Sequence, residues 1–363
     1  MRNSLRCLIV CVLLLTGAGA QYQQAMPGYE YQFPRDHFSH PDYRTEWWYY
    51  TGNLKANDGR RFGFELTFFR QGVNRKPLQN VDWGVQDLYL AHFAVSDIGR
   101  QKFYYTERVN RAGPGIAGIS RQQGRVWNGN WQAEWVNDGQ QLQAIGKDFG
   151  LQLQLKSNKP PVIHGQNGVS QKGEGIGHAS HYISFTRLIT SGHIEIEGKS
   201  YEVKGTSWMD HEFSTESLAA NEVGWDWLSI QLGDDTELML YRLRRTDGSV
   251  DRYSSGTYID GQGRGTHLSA RDFSMLPLGE TWRSTKSQAR YPIAWRVNVP
   301  SIGLELQIHA AMQNQELAGK TRLSTSYWEG AIDVSGTRAH KPIAGDGYLE
   351  MTGYDKPLDF SGP

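Results

Sequence analysis

Trp47, Tyr49 and Leu54 recur as Trp225, Trp227 and Leu232, each displaced by 178 positions, and this repetition constrains the fold more than any other feature of the chain. Each set precedes an Asp-containing turn and a strand-like run with an arginine near its end, Arg70 or Arg242. Further along, "SDIGR" answers "IDGQGR", and "HYISFTRLITSG" answers "SYWEGAIDVSG", setting Tyr182 against Tyr327 and Gly192 against Gly336. Several correspondences in one order indicate a tandem repeat. The repeated segments are short, aromatic or β-branched, and punctuated by "NDG", "DIG" and "SG" turn signals, the pattern of antiparallel strands. The 41 Gly, 12 Trp and 18 Tyr suit that reading, and only "LAANEV" and "AMQNQELAGK" have helical composition. The expected class is all-β: two lipocalin-sized antiparallel β-barrels in tandem, since closure removes exposed sheet edges. The expected boundaries are 1–20, 26–219 and 220–363.

Residues 1–20 carry Arg2 and Arg6, an apolar run from Cys7 to Leu15, and the small residues Ala18, Gly19 and Ala20. That arrangement predicts a cleaved secretory signal and an exported, periplasmic or secreted, protein. Both cysteines, Cys7 and Cys11, fall inside it, so stability is expected from a hydrophobic core without disulfides. Without Arg2 and Arg6 the basic residues number 36 (38 minus 2) against 38 acidic ones. No basic face is evident, which disfavours nucleic acid as a partner. No later apolar run is long enough to predict a membrane-spanning helix.

The candidate site begins at "GTSWMDHEFS", residues 205–214, which places Asp210, His211 and Glu212 directly after Trp208 near the junction of the two units. Domain junctions and barrel mouths commonly hold ligand pockets. In "WDWLSIQL", Trp225, Trp227, Ser229 and Gln231 share one strand face while Asp226, Leu228, Ile230 and Leu232 share the apolar one. A carboxylate on an apolar face is costly unless paired, and desolvation raises its pKa. Asp226 is therefore either a proton donor or the partner of an arginine such as Arg70 or Arg187. His211 invites a proton relay with Asp210. A metal at Asp210, His211 and Glu212 is disfavoured, because neighbouring strand residues face opposite ways. Trp47, Trp48, Tyr49 and Tyr50 read as core packing, or as aromatic walls able to shelter a cation.

On these residues a resemblance can be stated. "DHFSHPDYRTEWWYYTGNL", "FGFELTFFR", "GTSWMDHEFS", "GWDWLSIQL" and "GYLEMTGY" resemble the family of carotenoid 1,2-hydratases (CrtC) and AttH-like proteins, over nearly the whole chain beyond residue 33. The resemblance implies paired lipocalin-like barrels and kinship with proteins that handle long, apolar, unsaturated molecules. It further implies addition of water to a carbon–carbon double bond without an organic cofactor, with Asp226 as the acid. The exported character and the "DHEFS" form align the chain with the AttH-like branch.

Two functions follow as expectations. In one, a hydro-lyase uses Asp226 to protonate an alkene, Trp208, Trp225 and Trp227, with Trp47 and Tyr49, to shelter the ligand, and Asp210 with His211 to position water. In the other, the chain carries a lipid or isoprenoid without chemistry.

Overall fold

The computed structural model describes residues 21–358 apart from 74, 76–84, 114, 138, 216–218, 220 and 320–325. The expected signal segment and both cysteines lie outside the described residues. The first half forms β1 (Thr45–Ala56), β2 (Arg61–Gly72), β3 (Asp87–Asp97), β4 (Lys102–Arg111), β5 (Ala117–Ser120), β6 (Arg125–Asn128), β7 (Trp131–Val136), β8 (Gly139–Ile145), β9 (Phe149–Ser157), β10 (Val162–Ile163), β11 (Ser170–Gln171), β12 (Ala179–Ile196) and β13 (Lys199–Ser214). The second half forms β14 (Glu222–Leu232), β15 (Glu237–Arg245), β16 (Ser255–Ile259), β17 (Gly265–Ser269), β18 (Ser274–Pro277), β19 (Thr281–Arg283), β20 (Arg290–Pro292), β21 (Ala294–Val299), β22 (Leu304–Ala310), β23 (Glu316–Leu317), β24 (Tyr327–Arg338) and β25 (Lys341–Met351). Among the described residues there is no α-helix. The two stretches of helical composition are too short to recover the cost of nucleation. Glu222 and Val223 instead open β14, and Glu316 and Leu317 form β23.

The first sheet runs β4-β3-β2-β1-β13-β12-β9-β8-β7-β6-β5 and curls into a nearly closed barrel. Its two edges meet through side chains, with Arg108 donating to the Asn128 carbonyl (2.9 Å) and Asn110 to the Asn128 side chain (2.6 Å). The second sheet runs β17-β16-β15-β14-β25-β24-β22-β21-β18, a half-barrel. The order β2-β1-β13-β12 in one matches β15-β14-β25-β24 in the other, so the sequence repeat is a repeat of topology.

Alternation along the strands decides what each face holds. Trp48, Tyr50 and Leu54 turn inward with Phe62, Phe64, Phe93 and Trp131, filling the first interior with large side chains. Leu228, Ile230 and Leu232 do the same in the second with Trp295 and Trp328. Each interior also carries one acid opposite an arginine. Glu46 faces Arg70 directly (Nε to Oε2, 3.1 Å), and Asp226 faces Arg242 (2.8 Å), whose guanidinium lies over Trp295.

The outward faces of β1, β2, β12 and β13 pack against those of β14, β15, β24 and β25, forming a third core between the halves. Tyr49, Tyr182 and Trp208 from the first half meet Trp227, Met239, Tyr241, Ala331 and Tyr348 from the second. Burying each of these large side chains contributes roughly 1.5–3 kcal/mol. An irregularity in the β12–β13 pairing between Phe185 and Leu188 brings Arg187 onto the second half, where its Nε donates to buried Glu237 (2.6 Å) beside Lys159 (2.7 Å).

Candidate functional site

Asp210 stands in this seam. Its strand neighbours alternate, so Trp208, Asp210 and Glu212 face the second half while Met209 and His211 turn away. Asp210 is 3% exposed and accepts from the Tyr182 hydroxyl (2.7 Å), the Trp208 indole (2.6 Å) and the Ser184 hydroxyl. Tyr182 in turn accepts from the Trp227 indole across the seam (3.0 Å). Ser184 accepts from His164 Nε2 (2.6 Å), whose Nδ1 meets the Thr257 hydroxyl of the other half (2.8 Å). Burial pushes the Asp210 carboxyl up, its three donors pull it back, and it settles at about 7. The hydroxyls can rotate to accept when Asp210 holds a proton.

Glu212, two residues along the same face, has a different neighbourhood. Its counter-ion is Lys172, 3.2 Å away and enclosed between the rings of Tyr241 (3.9 Å) and Tyr182 (5.1 Å). Burial works against charge on Lys172, but Glu212 and Tyr241 outweigh it and hold the ammonium raised. A strand advances about 3.3 Å per residue, so the backbones of the two acids lie roughly 6.6 Å apart. A buried acid raised to about 7 and a carboxylate ion-paired with Lys172 thus share one strand face, the chemistry of an acid and base pair.

Three further acids reach the seam that sequence reasoning did not single out. Glu65 on β2, Glu329 on β24 and Glu350 on β25 all lie on seam-facing positions, with Glu329 and Glu350 directly opposed. Burial raises Glu65 to about 8 and Glu350 to about 7, and lifts Glu329 well above the carboxylate range, with Glu350 and Glu65 adding like-charge repulsion. The signal was present: each is a lone acid in an otherwise apolar strand, as in "FGFELTFF", "YWEGAI" and "GYLEM".

The other candidate residues divide between the faces. Tyr49 and Trp227 meet edge to face at 5.2 Å, Trp208 and Trp227 at 6.4 Å, and Trp47 and Trp225, each half-buried, pack at the seam margin. Asp226 faces the second interior, where Arg242 (2.8 Å), Arg244 (3.3 Å) and the Tyr354 hydroxyl (2.8 Å) enclose it. Its arginine partners are thus Arg242 and Arg244, not Arg70 or Arg187. His211 does not form the relay with Asp210, because consecutive residues of a regular strand face opposite ways. Its ring stacks on Trp48 (4.6 Å), accepts no seam contact, and bridges the Asp36 carbonyl (3.0 Å) and Glu46 (2.9 Å). Ligand atoms of His40, Glu46 and His211 lie within 4.8 Å of one another. Arg70 and the His40 amide already occupy Glu46, so this group is a hydrogen-bonded clamp that ties the segment before β1 to the first barrel. Two surface hollows, one beside Gln21–Tyr29 and one on the glutamine-rich outer face of β7–β9, lie apart from the seam acids.

The fold and these residues have counterparts. An AttH-type protein of Nitrosomonas europaea has a crystal structure that superposes with a TM-score of 0.82 at 35% identity, covering 92% of this chain and 99% of that one. Kievitone hydratase from Nectria haematococca shares the fold at a TM-score of 0.69 and 15% identity, over 93% and 98% of the two chains. The dehydratase asqC of Emericella nidulans is 19% identical over 282 residues, 75% of this chain and 78% of its own. The AttH-like family model matches residues 24–354, and the chain belongs to that family.

Proposed function

We propose that the chain is an exported hydro-lyase that adds water to, or removes it from, an apolar unsaturated molecule held in the seam. Asp210 as acid and Glu212 as base are the working pair. In hydration, Asp210 gives its proton to one alkene carbon while Glu212 takes a proton from water, whose oxygen bonds to the other carbon. Passing the gained proton from Glu212 to Asp210 resets the pair. Trp208, Trp227 and Tyr49 form the apolar wall beside the pair. The reading is carried by one observation: two acids on one strand face, one raised to about 7 and the other ion-paired with Lys172. Hydratase and dehydratase relatives support the same reaction class.

The test starts from the purified protein, extracted with organic solvent to identify any bound apolar molecule. Incubation of that molecule in heavy-oxygen water should give an 18O-labelled alcohol, and Asp210→Asn should cut the rate about 10²-fold or more while retaining binding. A ligand that binds but never exchanges oxygen would leave a carrier in place of an enzyme.

A further inference from the structure

Along the seam β2 crosses β24 in steady register. Arg61 meets Asp333 (2.5 Å), and Gly63 lies against Ala331, where an added Cβ would come within 2.9 Å of the Ala331 methyl. The next step of that progression sets Glu65 opposite Glu329. Each is 1% exposed, and each has one oxygen engaged: Thr67 donates to Glu65 Oε1 (2.5 Å) and Tyr49 to Glu329 Oε1 (2.5 Å). Glu329 Oε2 is buried without a hydrogen-bond partner, and Glu65 Oε2 has none in good geometry, with the Tyr327 hydroxyl beside that carboxyl. Buried polar atoms are rarely left so.

Burial and mutual repulsion, with Glu350 beside them, hold both acids neutral. A neutral carboxyl whose Oε1 is occupied as acceptor carries its proton on Oε2, so Glu329 offers an unused O–H donor and Glu65 one shared at most with Tyr327. They lie one strand from Asp210, since Tyr49 is its direct partner across β1 and β13.

We propose that Glu65 and Glu329 donate these protons in hydrogen bonds to a carbonyl oxygen, so the seam's substrate is a conjugated enone in hydration and a β-hydroxy ketone in dehydration. The inference rests on the acid and base roles given above to Asp210 and Glu212. Glu212 removes a proton from water as the oxygen bonds to the β carbon. The alkene pair then shifts between the α carbon and the carbonyl carbon, and the carbonyl pair moves onto oxygen. The two acids hold that oxyanion by preorganised hydrogen bonds. Asp210 then protonates the α carbon and the carbonyl reforms. One water is gained and nothing is oxidised or reduced.

The experiment compares 2-acetylnaphthalene with 2-ethylnaphthalene, alike in shape but for the carbonyl, by titration calorimetry on the full chain at pH 6. The ketone should bind at least ten-fold tighter, and its carbonyl stretch should fall to lower wavenumber when bound. Glu329→Met and Glu65→Met, which lack the donor, should erase the preference, whereas Glu329→Gln, which keeps an N–H, should retain it. Equal binding of the two probes to the wild type, or a preference that survives both Met variants, overturns the proposal. Equal binding together with oxygen exchange on an extracted alkene sinks the carbonyl inference alone. If neither probe binds, the seam is not a ligand site and both readings fall.

Discussion

Tyr49 of the first half donates a 2.5 Å hydrogen bond to Glu329 of the second, joining a buried phenol to a buried acid across the seam. Tyr49→Phe removes the donor and leaves Glu329 with neither oxygen partnered. We expect a stability loss of about 1–3 kcal/mol, read from the urea midpoint. A midpoint unchanged from wild type would mean that the bond does not hold the halves together.

Asp226 offers a second test. It is fully buried, and its removal strands Arg242 and Arg244, which are themselves only slightly exposed. Asp226→Ala should cost about 3 kcal/mol in stability, the lower end for a broken buried ion pair. Because it faces the second interior, activity per folded molecule should remain within a factor of a few. Loss of turnover at full stability would return Asp226 to the catalytic role that the family resemblance implies.

The raised seam acids should make stability fall as pH rises from the unfolded carboxylate range near 4 to about 8. Glu65, Asp210 and Glu350 have folded values of about 8, 7 and 7, above those of the unfolded chain. The folded state therefore binds more protons in that window, and stability declines by roughly 1.4 kcal/mol per pH unit for each proton difference. His37, His92 and His181, each lowered to about 4 by burial, act the other way, raising stability between about pH 4 and 6.5. Denaturant titrations at half-unit steps should show the two sets offsetting below about pH 6.5 and a decline from there to about 8, and Asp210→Asn should flatten that alkaline limb. A limb that keeps the wild-type slope in that variant counts against the raised Asp210.

Gly63 sits at a close approach of the two halves, its Cβ position 2.9 Å from both the Ala331 methyl and the Tyr348 hydroxyl. Gly63→Val should force β2 and β24 apart and cost about 1–3 kcal/mol. Its effect on seam binding should exceed that of Gly59→Val at the β1–β2 turn, where the nearest atom is a flexible lysine carbon 4.0 Å away. Parallel titrations with the acetylnaphthalene probe decide between them.

The strand content and the duplication were legible because both are written at short range. Period-two alternation names the faces of β14 directly, placing Asp226 with Leu228 and Trp227 with Ser229, as found. The seam itself was not legible. A sheet with both faces covered shows acids and aromatics on its outward side, and nothing local tells whether water or another sheet covers them. Glu65, Glu329 and Glu350 escaped notice for that reason, because the groups that bury them come from both halves of the chain. The same blindness directed attention to Asp226, whose apolar strand face proved to end in a paired arginine. The link of His211 to Glu46 on β1 was not legible, because it required the barrel to be assembled.

The barrel and the half-barrel fill their interiors with their own side chains, and the raised acids lie on surfaces that a lone barrel would leave wet. Severing the chain between them would hydrate Asp210, Glu65 and Glu329 and return them to ordinary carboxylates. The perturbed acidity of these groups is thus a property of the join, and neither half holds it alone.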